Sequence, residues 1–188
     1  MEKVSINQSI RLSEHITLGE VTKSRHAEIY NIPSHVAIEN LKRVCEWLEE
    51  LRRRYNLRYV LPLSRGSQRG SDPPHSSPAQ TTPNPSYSGG EKDTEEPIII
   101  TSGYRSPQLN RKVGGSPTSN HLTGCAVDIR VAGIEQAMRY AVILMDYADE
   151  TKQDYDELFI EKNRYGAIWV HFAVRPKDNR RKTMFIQK

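Results

Sequence analysis

Gly114-Gly115-Ser116-Pro117-Thr118-Ser119-Asn120-His121-Leu122-Thr123-Gly124-Cys125-Ala126-Val127-Asp128 is the most informative stretch of this 188-residue chain. It places His121 and Asp128 seven residues apart, with Gly124 between them. On one helix that spacing would separate the two side chains by about 10 Å along the axis. Bonds of about 2 Å to a shared metal ion would then be out of reach. A chain that bends at Gly124 and returns as a strand over residues 126–131 brings both side chains to one point instead. A second histidine, His171, lies in the late run Trp169-Val170-His171-Phe172. Two imidazoles and one carboxylate leave a coordination position open, as catalytic zinc sites do.

Outward from this stretch, Pro97-Ile98-Ile99-Ile100-Thr101-Ser102 reads as a short buried β-branched strand. Residues 156–161 and 167–174 read as two further strands, joined by a turn at Arg164-Tyr165-Gly166. Ala137, Met138, Ala141, Val142 and Met145 predict a helix over 134–147. In the N-terminal part, Val36, Leu41, Val44, Leu48 and Leu51 recur at helical spacing between Pro33 and Tyr55, with Ser34 as N-cap. Thr17-Leu18-Gly19-Glu20 opens a shorter helix expected to run toward Tyr30. Helices followed by strands with one helix among them give an α+β fold, a small antiparallel sheet carrying the metal site and flanked by helices.

Residues 64–96 differ from the rest: 7 Ser, 5 Pro and 4 Gly, with only Ala79 and Tyr87 from the hydrophobic class. Such a segment buries too little to offset the entropy of ordering it, so it is expected to be a disordered insertion. The organisation expected is a helical part at 1–63, the insertion at 64–96 and an α+β core at 97–188, the first and last forming one domain. No run approaches the ~20 apolar residues of a membrane helix. Met1-Glu2-Lys3-Val4-Ser5-Ile6-Asn7 lacks the features of a signal peptide. Membrane insertion and Sec export are therefore not expected. A net charge of +4 is the only feature pointing to nucleic acid, and it is spread along the chain. Cys45 and Cys125 make no disulfide framework.

The motifs S-G-Y-R-S-P-x-x-N, G-G-S-x-x-S-x-H-x-x-G-x-A-x-D and W-V-H, in this order, resemble the M15 family of zinc D-Ala-D-Ala carboxypeptidases and related peptidoglycan peptidases. The resemblance spans about residues 97–131 and 156–174. It implies one zinc per chain held by His121, Asp128 and His171, with Arg105 facing the substrate. A guanidinium suits a peptide carboxylate or an oxyanion through its permanent charge and fixed fork of donors. Ser119, Tyr104 and Trp169 would join Arg105 in binding substrate, with Ser119 serving either substrate or its own loop. The implied partner is a peptidoglycan stem peptide, cleaved in carboxypeptidase or endopeptidase mode. The implied protein is a monomer made in the cytoplasm that acts on the wall after release or non-Sec delivery. The same zinc fold occurs in the hedgehog signalling domain, so a non-catalytic wall-binding or interaction module is the alternative.

Three positions depart from the pattern. Some relatives carry a carboxylate three residues before the last histidine ligand, where this chain has Ile168. The general base is therefore expected at Glu161, which resembles the acid ending the family's D-Q-L-I-x-E strand. In that run Glu157 replaces the usual Gln, and Asp156 is expected to support the turn into the strand. Cys125 lies close to the ligand motif, but strand alternation turns it to the face opposite Asp128.

Overall fold

The computed structural model describes residues 7–60 and 95–188. All of the expected 64–96 insertion except Glu95 and Glu96 lies outside the described residues. Those two residues are tied to the domain. Glu95 pairs with Arg52 at 2.7 Å, and the Glu96 backbone N–H donates to Asn56 Oδ1 at 2.7 Å.

Helix α1 spans Leu18–Thr22 and is closed at its start by a capping box between Thr17 and Glu20. It is much shorter than the expected run toward Tyr30. Lys23 turns extended, and the Val21 carbonyl accepts from the Tyr104 N–H at 2.7 Å, so it is engaged across the domain instead of within a helix. Helix α2, His35–Tyr55, begins at Ser34, whose hydroxyl accepts from Ala37 N–H. Its buried face holds Ala37, Leu41, Val44, Cys45, Leu48 and Leu51; of the expected stripe Leu41, Val44, Leu48 and Leu51 are buried, whereas Val36, in the first turn, is exposed and Ala37 takes the inward position. Arg52, Arg53 and Arg54 occupy its last turn, where cations complement the helix dipole.

The sheet is built from β1 (Ile100–Ser102), β2 (Ala126–Arg130), β3 (Glu157–Lys162), β4 (Ile168–Ala173) and β5 (Lys182–Gln187), in the spatial order β1-β2-β4-β3-β5. Between β1 and β2 lie α3 (Pro107–Lys112) and a 3-10 turn (Asn120–Thr123), and α4 (Ile134–Thr151) joins β2 to β3. The α+β class is as expected, but the sheet is mixed rather than antiparallel. The first four strands pair antiparallel, while β5 runs parallel to β3. The reason is topological: β4 ends opposite Glu157, and the next residues cross that end of β3 to begin β5 opposite Glu157 again. The sequence reading missed β5 because most of this edge strand is exposed and carries no buried alternation.

Helices α2 and α4 cover one face of the sheet. Val127, Ile129, Leu158, Val170 and Phe172 point into that core, and Trp47 of α2 meets Phe172 with ring centroids 5.4 Å apart. Alternation sends Asp128, Trp169, His171, Phe159 and Glu161 to the other face.

Candidate metal centre

Register brings the site together. Asp128 lies opposite His171, Phe159 opposite His171 on the other side, and Glu161 opposite Trp169. His121 arrives from the 3-10 turn, which Ser119 caps through a bond from the His121 N–H to its hydroxyl. Gly124 then turns the chain into β2 with φ of 73°. A side chain there would be strained, and its Cβ would lie 2.4 Å from the Ala37 carbonyl oxygen of α2. The bend expected at Gly124 is thus imposed both by conformation and by close packing.

Donor atoms of His121, Asp128 and His171 all lie within 4.8 Å of one another, and all three residues are buried. Asp128 Oδ1 is 3.3 Å from His121 Nε2 and 2.9 Å from His171 Nδ1. Tetrahedral ligands at zinc-like bond lengths stand roughly 3.3 Å apart, so the spacing fits a single ion. Each imidazole is also held from behind. His121 Nδ1 is 2.6 Å from the Gly103 carbonyl, which accepts its N–H and leaves Nε2, on the Asp128 side, as the nitrogen available to a metal ion. His171 Nε2 is 3.3 Å from Glu157 Oε2, which leaves Nδ1 toward Asp128. Metal-binding histidines are supported in this way by carbonyls and carboxylates.

The electrostatics of the cluster draw positive charge. Burial keeps the His121 imidazole below its usual range. Burial also works to raise Asp128, but the two histidines beside it outweigh this and hold its carboxyl well below the usual range. Burial opposes a charge on His171, yet hydrogen bonds to Asp128 and Glu157 push it up to about 9. The donor set of two nitrogens and one buried carboxylate therefore fits a metal cation.

Around this set lies a cavity of about 600 Å³, lined among others by Arg105, Ser119, Glu157, Glu161, Trp169 and Lys188. Arg105 donates from Nη2 to Asp128 Oδ2 at 2.5 Å and from Nε to Ser102 Oγ at 2.9 Å. Glu161 Oε2 accepts from Lys188 Nζ at 2.5 Å. Tyr104 is the sequence-predicted site residue that the structure does not bring here. It is 8% exposed and packs in the hydrophobic core, because its position directly after Gly103 is drawn against α1. Cys125 is buried and stands outside the donor cluster.

Glu157 and Lys188 were missed as site residues. The signal for Glu157 lay in the register, since it shares the β3 face of Phe159 and Glu161. Asp156, expected at the turn, is fully buried and accepts from Arg180 Nε at 2.8 Å, Arg180 Nη2 at 2.7 Å and Asn120 Nδ2 at 2.7 Å.

The fold and the donor set define an α+β domain with a candidate His/Asp/His metal site on the open face of its sheet. Residues 90–157 match the family model described as Peptidase M15, which supports an M15-family peptidase. The matched segment contains His121, Asp128 and Arg105 and stops short of Glu161 and His171. Family match and metal site together support a zinc metallopeptidase. No curated protein matches the chain. Among the described residues, no helix is long and apolar enough to cross a membrane.

Proposed function

We propose that the chain is a zinc metallopeptidase that hydrolyses a peptide bond in peptidoglycan stem peptides, in carboxypeptidase-like or endolysin-like endopeptidase mode. The observation that carries this reading is the convergence of His121, Asp128, His171, Arg105 and Glu161 on one cavity. His121 Nε2, a carboxylate oxygen of Asp128 and His171 Nδ1 would hold one zinc ion per chain. Zinc supplies Lewis acidity, polarising a carbonyl and making water nucleophilic near neutral pH.

The chain's own groups do the rest. Glu161, with Oε2 engaged by Lys188, uses Oε1 to take the proton of the attacking water and passes it to the leaving amine nitrogen. Arg105, with two of its five donors committed to Asp128 and Ser102, offers the others to a substrate carboxylate or the developing oxyanion. Trp169 gives the peptide an aromatic wall beside Glu161. Ser119 lines the same cavity, although its hydroxyl also caps the His121 turn. Residues 1–63 and 97–188 act as one peptidase domain interrupted by 64–96, because α2 and the sheet share a single core. The protein would work as a monomer on the cell wall.

Mass spectrometry of muropeptides incubated with the zinc-loaded protein tests the reading. Loss of a terminal residue identifies the carboxypeptidase mode, and a split stem or cross-link identifies the endopeptidase mode. Unchanged muropeptides with zinc bound would overturn the enzyme and favour a wall-binding module.

A further inference from the structure

We propose that Glu157 is the positioning residue for the metal ligand His171, and that Asp156, Arg180 and Asn120 form the clamp that aims it. The proposal rests on the metal reading given above. Its observations are geometric. Glu157 Oε2 stands 3.3 Å from His171 Nε2 and also accepts from Asn120 Nδ2 at 2.9 Å. Its other oxygen, Oε1, accepts from Arg180 Nη2 at 2.5 Å. Both oxygens are therefore committed, and the carboxylate has one orientation available.

The partners of Glu157 are themselves fixed. Asp156 has no exposed side-chain surface and takes the Arg180 guanidinium through two donors, so the arginine is anchored before it reaches Glu157. Asn120 Nδ2 bridges Asp156 Oδ2 and Glu157 Oε2, and Asn120 directly precedes the ligand His121. One polar network thus ties the turn that carries the first histidine to the strand that carries the second.

Two consequences follow for His171. The carboxylate takes the ring proton at Nε2, so that Nδ1 is the nitrogen left to bind the metal that His121, Asp128 and His171 would hold. It also adds a negative charge behind the ring, which strengthens the ligand toward a cation. His121 is supported differently, by the neutral and immovable Gly103 carbonyl. The two imidazoles therefore differ in what removal of their support would do: only the His171 support is a side chain open to substitution. Glu157 touches no reacting atom in this account, and its role runs entirely through His171.

The test is zinc affinity by chelator competition, with the visible spectrum of the cobalt(II) form, on the full chain and its Glu157→Ala, Glu157→Gln and His171→Ala variants. Glu157→Ala should weaken zinc about 10–100-fold, the loss typical of removing a partner behind a metal ligand. It should also alter the cobalt spectrum, which a distant structural defect would leave unchanged. Glu157→Gln, whose amide oxygen still accepts the Nε2 proton, should recover part of the affinity, and it keeps the test decisive if the alanine variant folds poorly. His171→Ala should bind no zinc tightly. Wild-type affinity and spectrum in both Glu157 variants would overturn the positioning role while leaving the metal site standing. Absence of zinc binding by the wild type would overturn both.

Discussion

The two faces of β2 and β4 are made by the same ten or so residues read in alternation, yet they obey different physics. On the covered face, Val127, Ile129, Val170 and Phe172 are each at 0% exposure beneath α2 and α4. On the open face, Asp128 and His171 meet across strands at 2.9 Å, a hydrogen-bonding rather than a packing distance. One face is held by non-directional burial, which tolerates many apolar side chains of similar volume. The other is a polar network in which a lost partner leaves a buried group unpaired. Stability and chemistry in this domain are thus separable by single steps along a strand.

Substitutions on each face should break the comparison in opposite ways. Glu161→Gln keeps size and hydrogen-bonding capacity but removes basicity, so muropeptide turnover should fall roughly 10²–10⁴-fold while zinc content stays at the wild-type level. Full turnover in that variant would remove Glu161 from the proton relay. Phe172→Ala, one residue from the ligand His171, empties a buried aromatic site against Trp47 and Tyr155. Its cost should be about 3–5 kcal/mol in urea unfolding, with the folded fraction still binding zinc. A loss of zinc without a loss of stability would mean that the faces are not separable.

A smaller effect concerns acid. Desolvation alone would raise Asp156, but its hydrogen bonds from Arg180 and Asn120 prevail and hold it at about 2. Because this folded-state value lies below that of an unfolded Asp, near 3.9, the stabilisation is present above about pH 4 and lost as pH falls through about 2. It amounts to roughly 2–3 kcal/mol at neutral pH. Urea unfolding of wild type and Asp156→Asn should therefore show a gap at pH 7 that narrows from pH 4 downward. A gap that is constant with pH would mean that the carboxylate charge is not what Arg180 recognises.

Much of the donor set is legible in the sequence. The seven-residue gap between His121 and Asp128 excludes a shared helix, and the intervening glycine marks where the chain bends. The turn at Gly166, with φ of 87°, fixes the register that sets Glu161 opposite Trp169 and Phe159 opposite His171. What escaped the sequence was long-range and polar. The parallel strand β5 is mostly exposed and has no alternating buried face to announce it. The Arg180 contact to Asp156 spans 24 residues and depends on how the segment after β4 crosses the end of β3. Tyr104 illustrates the opposite error: it sits inside a matching motif, but the bond from its N–H to Val21 carries it into the core.

On the proposed reading, one sheet face holds a single catalytic zinc through His121, Asp128 and His171. Zinc content per chain, measured by atomic emission on wild type, His121→Ala, Asp128→Ala and His171→Ala after identical loading and desalting, tests it most directly. About one zinc is expected in the wild type and none retained by any of the three variants, since two remaining ligands hold zinc weakly. Full zinc retention by His121→Ala and His171→Ala would contradict it.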